Sequence, residues 1–141
     1  MSPFAGGWTE QDVEDVMARA IPEELLYVPI VVGMNAPDCE RTWCEEKCLA
    51  LVSHPDFTVR GNAILGLGHI ARTCRALDIE KAVPAIQTAL NDPHPYVRGH
   101  ADSAACDLQV YLGYVVPGYD TQKTEDLYDA IQEVLRKNSS V

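Results

Sequence analysis

Cys39, Cys44 and Cys48 are the first residues whose type and spacing suggest chemistry, because closely spaced thiolates can hold zinc. Structural zinc sites pair tightly spaced cysteines with a second such pair or with two histidines further on. Here the nearest addition is His54, in a turn. Cys44 and Cys48 share one helical face, where a thiol ordinarily serves as a small buried hydrophobe. His69 and His100 are the candidates for acid–base work, but no recognisable motif sets a Ser or Cys nucleophile beside either. Gly66 and Gly68 form no phosphate loop, since no strand precedes them and no Gly-Lys-Ser/Thr follows. Inside a helix each costs about 1 kcal/mol relative to Ala, and close approach of a neighbouring helix is the expected reason for them. The chain therefore reads as a binding protein and not an enzyme, with no metal and no cofactor expected.

Charge narrows the partners. The 141 residues carry 21 acidic and 11 basic side chains, a net −10. Residues 1–46 hold ten carboxylates against Arg19 and Arg41, so −8 of the −10 lies there. Such a field repels nucleic acid and anionic membrane and speeds encounter with a basic partner. An odd count of five cysteines, together with an N-terminus lacking a basic stretch followed by an apolar run, leads to the expectation of a cytoplasmic protein with reduced thiols.

The elements that must position these residues read as helices throughout. Residues 1–8 are expected to be a loose arm, and Thr9 a helix start with Val13, Val16, Met17 and Ala20 at helical spacing. Pro22 opens a short helix expected to break near Pro29, where a β-branched run favours an extended or kinked path. Asp38 is the expected N-cap of a helix to about Ser53, with Cys44, Cys48, Leu51 and Val52 inward. Further helices are expected over about 57–76, 79–91, 96–114 and 124–137. The last carries Leu127, Ile131, Val134 and Leu135 on its inward side.

Two segments repeat. His54-Pro-Asp-Phe-Thr-Val-Arg-Gly-Asn-Ala63 lies over Asp92-Pro-His-Pro-Tyr-Val-Arg-Gly-His-Ala101, with Pro, Val, Arg, Gly and Ala matched at a constant offset of 38. One helix–turn–helix unit cannot bury its apolar faces alone, so neighbours must stack. Asp92, Val97, Arg98 and Ala101 resemble the turn and second-helix start of HEAT repeats; the first unit departs, with His54 in the place of Asp92. The resemblance spans roughly residues 38–115. It implies an all-α, short HEAT-like α-solenoid of stacked antiparallel helix pairs in a single domain, 1–141. Residues 9–37 would be an N-terminal cap and 121–137 a C-terminal capping helix. It also implies that Arg60, Asp92 and Arg98 tie units together.

In a HEAT-like stack the second helices line the concave surface. Asn62, Leu65, His69 and Arg72 share one flank of their helix, and His100, Ser103, Asp107, Val110 and Tyr114 the matching flank of the next. Side by side these flanks would form a groove. The run Cys48-Leu-Ala-Leu-Val-Ser-His54, followed by Val59-Arg-Gly-Asn-Ala-Ile-Leu-Gly-Leu-Gly-His-Ile-Ala-Arg72, is also similar to small bacterial HEAT-like proteins, some of which are immunity proteins of polymorphic or contact-dependent toxin systems. That similarity implies a protein partner, a basic toxin domain such as a nuclease, bound by the groove and by Glu40, Glu45 and Glu46. The alternative is a HEAT-like scaffold, adaptor or assembly factor.

Overall fold

The computed structural model describes residues 2–139, with the side chains of residues 121–127 and 139 outside the description. Among the described residues every regular element is a helix and there is no strand. The helices are α1 (Glu10–Arg19), α2 (Pro22–Leu25), α3 (Val28–Met34), α4 (Arg41–Leu49), α5 (Phe57–Cys74), α6 (Ile79–Leu90), α7 (Pro95–Leu112) and α8 (Thr121–Ser139).

α1 begins with a reciprocal capping box. Thr9 Oγ1 accepts from the Asp12 amide and the Asp12 carboxylate accepts from the Thr9 amide, which satisfies two otherwise unpaired donors. Val13 and Val16 fall on its buried face. Glu14 fixes α1 to α4, accepting from Trp43 Nε1 at 2.9 Å and pairing with Lys47. Those two contacts hold its carboxyl below the usual range.

Four expectations need correction. Of the expected loose arm 1–8, the described residues 2–8 are not loose, because Phe4 is buried in the core and Trp8 packs against it. The chain breaks before Pro29, around Leu26 and Tyr27, and Pro29 sits in the first turn of α3. Proline has no amide hydrogen to lose in a first turn, and burial of Val28 and Val32 overrides their β-propensity. Asp38 caps nothing: Ala36–Asp38 forms a 3₁₀ turn, and α4 starts after Glu40 without a side-chain cap. α4 also ends early, at Leu49, where tight turns lead to His54. Finally, the apolar side of α8 faces outward. Ile131, Val134 and Leu135 are exposed, and Tyr128 with them, so the described part of α8 adds nothing to the core; the side chain of Leu127 lies outside the described residues.

The two matched turns have the same hydrogen-bond pattern. His54 Nδ1 accepts from the Asp56 amide, and the Asp92 carboxylate accepts from the His94 amide. Asp56 then caps α5 through the Thr58 and Val59 amides, as His94 Nδ1 caps α7 through the Tyr96 amide. Arg60 Nη1 donates to the carbonyls of His54 and Pro55; Arg98 Nη1 donates to those of Asp92 and Pro93. The remaining edge of Arg60 reaches across to the second unit, with Nε and Nη2 on the Asp92 carboxylate at 2.7 and 2.9 Å. Such a bidentate fork is the strong form of the ion pair.

α5 is the central helix, packed against α3, α4, α6 and α7. Its glycines explain how closely. A Cβ on Gly66 would stand 2.7 Å from Cys48 Sγ and 2.9 Å from the Pro29 carbonyl, one on Gly68 would be 3.0 Å from Ala104 Cα, and one on Gly61 would enter the Tyr96 ring. Cys44 and Cys48 are fully buried, and burial pushes the Cys44 thiol up to about 12, so these thiols are neutral packing groups. No group of three or more His, Cys, Asp or Glu among the described residues is arranged to hold a metal. A cleft of about 290 Å³ lies between the units, but its polar lining includes Arg60 and Asp92, which already bind each other.

Two substitutions test this packing. Gly66→Ala gains about 1 kcal/mol of helix propensity yet meets backbone, so a net loss of about 1–2 kcal/mol in urea unfolding is expected. Asp92→Ala is expected to cost about 2 kcal/mol, less than a deeply enclosed pair because the bridge lies near the surface. Arg60 lowers the Asp92 pKa; its contribution is therefore present above about pH 4 and fades as pH falls through the lowered value. The difference in unfolding free energy between the variant and the parent should be smaller at pH 3 than at pH 7.

Candidate functional site

The flank shared by α5 and α7 carries the densest set of polar and aromatic groups that the core does not consume. At its near end Phe57 stacks on His94, with centroids 3.6 Å apart and rings 8° from parallel. Tyr96 meets Phe57 edge-on at 5.7 Å and His100 edge-on at 4.4 Å. Phe57 and Tyr96 are both exposed. Further along stand His69, Arg72 and Asp107.

Each of these is held by its helix. Gly33 of α3 admits the His69 side chain, since a Cβ there would lie 2.9 Å from His69 Cβ. One turn on, Arg72 Nη2 donates to His69 Nδ1 at 2.7 Å, which leaves the imidazole hydrogen on Nε2. The same nitrogen lies 3.6 Å from Met34 Sδ. Burial lowers the pKa of His69, and the charge of Arg72 and the neighbouring His100 add to that effect. Burial likewise lowers His100. Both rings are therefore neutral at pH 7.

Asp107 is the carboxylate of this flank that burial affects. Its Oδ2 lies over Gly68, 2.9 Å from where a Cβ would be, and it accepts no hydrogen bond from the described residues. Burial raises its pKa to about 6, with Arg72 pulling the other way. Perturbed titratable groups gathered in one place are a recurring mark of functional sites. The arrangement can hold a negative charge ready at neutral pH beside two neutral hydrogen-bonding rings and an aromatic row. It has no activated nucleophile among its described members.

The sequence-derived residues divide. His69, Arg72, His100 and Asp107 come together, and Ser103 is exposed one helical turn from His100 and Asp107. Asn62 does not present itself to a partner. It is buried, its Nδ2 donates to the Leu26 carbonyl at 2.8 Å, and its Oδ1 accepts from the Tyr96 hydroxyl at 2.6 Å, so it staples α2, α5 and α7. Glu45 is also internal, paired with Arg41 at 2.7 Å and accepting from the Asp78 amide, because α4 turns it toward the start of α6. Glu40 and Glu46 are exposed, but at α4 and not on the α5–α7 flank. Tyr114 lies beyond the Gly113 cap of α7, half-buried against the core. Of the structural residues, Arg60 and Asp92 bridge the units, whereas Arg98 ties down only its own turn. Phe57, His94 and Tyr96 were not anticipated; the signal was an aromatic beside each repeated helix start.

Comparison with known protein families, curated proteins and solved structures returns no match for this chain. No helix among the described residues is long and apolar enough to cross a membrane.

The raised Asp107 pKa has a direct consequence. The folded state binds the proton more tightly than the unfolded chain, so ionisation costs stability as pH rises from about 4 to about 6. Asp107→Asn is expected to raise the melting temperature at pH 7.5 and to leave it unchanged near pH 4, as followed by circular dichroism.

Proposed function

We propose that the chain is a protein-binding module, a short HEAT-like stack whose α5–α7 flank receives a basic protein domain, in the manner of an immunity protein that covers a toxin nuclease. The observation that carries this reading is Asp107, a half-buried carboxylate kept at a cost to stability and without a hydrogen-bond partner among the described residues. A Lys or Arg from a partner would supply the hydrogen-bond donors it lacks and add to the partial compensation that Arg72 gives. The fold has no use for such a group, so selection for a cationic contact accounts for it better than packing does.

The rest of the surface fits the same kind of partner. Tyr96 and Phe57 supply rigid aromatic area typical of binding hot spots at one end of the flank, and Arg72 lies further along it. The net −10 charge, concentrated in the first third, steers a basic domain from a distance. Glu40 and Glu46 act in that long-range field, while the flank makes the close contacts. The HEAT-like reading draws on the 38-residue recurrence of turn bonding and on the Arg60–Asp92 bridge between units. The scaffold alternative has no observation of its own in its favour.

The test uses the whole chain as bait in extracts of its source cell, with wild type and Asp107→Lys compared and captured proteins identified by mass spectrometry. The reading expects a strongly basic domain that is lost with Asp107→Lys and released as salt rises from about 0.05 to 0.5 M, where screening shortens charge interactions to a few ångströms. An acidic partner, or one held equally by both baits, would falsify it.

A further inference from the structure

The two repeat units are bonded alike internally but differ in what lies beyond them. Arg60 has two working edges: Nη1 on the carbonyls of its own turn, and Nε with Nη2 on the Asp92 carboxylate of the next unit. The residue after it, Gly61, forms a shelf for the next unit's Tyr96, whose ring atoms lie 2.7 and 2.8 Å from a would-be Cβ. Asn62 then takes the Tyr96 hydroxyl at 2.6 Å. These three successive residues are the receptor by which α5 recognises an acid in a turn and a tyrosine four positions on.

Arg98, Gly99 and His100 repeat that receptor 38 residues later. Arg98 is oriented as Arg60 is, its Nη1 fixed on the Asp92 and Pro93 carbonyls at 2.7 and 3.0 Å. Its Nε and Nη2 meet no acidic group among the described residues, and the side chain is exposed. Nothing among the described residues lies within 4 Å of a Cβ placed on Gly99, which is also exposed. His100 stands where Asn62 stands, with ring nitrogens able to meet a hydroxyl. A guanidinium already anchored by two carbonyls loses little freedom on binding, and the equivalent edge of Arg60 holds a carboxylate.

The geometry points to the Arg98–Gly99 edge of α7 as a second docking site, specific for a protein segment that offers a carboxylate in a turn and an aromatic ring four residues later at a helix start. The occupant is a different protein. A second copy of this chain could not serve, since its own Asp92 and Tyr96 are already held by Arg60, Gly61 and Asn62. The partner segment would continue the stack, its carboxylate on the fork of Arg98, its ring on Gly99 and its polar tip toward His100. This edge is distinct from the Asp107 contact: it selects an acid where Asp107 selects a base, and one can fail without the other.

A small molecule with the same two groups tests the site on the intact protein. The probe is 3-(4-hydroxyphenyl)propionate, titrated into ¹⁵N-labelled chain with the Arg side-chain and backbone amide signals followed by NMR. The expected result is a saturable shift of Arg98 Nε–H and of the Gly99 amide, with a dissociation constant on the order of a few millimolar, and no shift at Arg60 Nε–H. Propionate alone should move Arg98 only, and 4-ethylphenol should move Gly99 only. Arg98→Gln should abolish the carboxylate response. Gly99→Leu fills the shelf at an exposed helical position that tolerates a side chain, and should abolish the ring response while the fold persists. Asp107→Asn should leave both responses in place. Shifts that fail to saturate, that appear equally at Arg60, or that survive Gly99→Leu would overturn the assignment.

Discussion

The fork between Arg60 and Asp92 is the constraint on which the arrangement of the helices depends. Arg60 fastens its own turn through two carbonyls and grips the following turn through a carboxylate, so one side chain sets the distance and angle between two helix starts. Lysine could supply the charge but not the two-sided planar fork. With those starts fixed, α5 and α7 run side by side, and the small residues along their seam let the backbones approach. The aromatic row, the imidazoles and Asp107 all inherit their spacing from that seam. A shift of one helical turn between α5 and α7 would separate His69 from His100 and bring Asp107 off Gly68.

Much of this was legible in the residue pattern. The 38-residue recurrence located both turns, and Arg60 and Asp92 stood at its most constrained positions. Thr9 announced α1 because its cap needs only local atoms. The misreadings share a cause, which is that tertiary burial outweighed local preference. Val28 and Val32 became helical because the core needed them, and the Pro29 ring was harmless once it opened a helix. Glu45 and Asn62 looked like surface groups by type and helical phase, yet each is consumed by a backbone group from a distant segment, the Asp78 amide and the Leu26 carbonyl. No periodicity reveals a partner 33 or 36 residues away. The outward stripe of α8 shows the converse, since amphipathic spacing says that a helix has an apolar side without saying what, if anything, lies against it.

The polar groups of the α5–α7 flank differ from those that the core consumes. Asn62 and Glu45 are polar, buried and bonded, and they add to the specificity of the fold. Asp107 is polar, half-buried and unbonded, and it subtracts from stability at neutral pH. A neutral neighbour such as His69, held in one tautomer by Arg72, is predisposed to donate from Nε2 without competing for the proton of Asp107. The flank thus sets a fixed donor beside a carboxylate that has no hydrogen-bond partner among the described residues.

Because the two units share a single seam, neither retains a complete core if it parts. Loss of α7 would strip one side of α5, expose Gly61 and Gly68 to water, and leave Asp92 and Arg60 separately solvated. The buried faces of α5 and α7 are thus lost together, because each is the other's main cover.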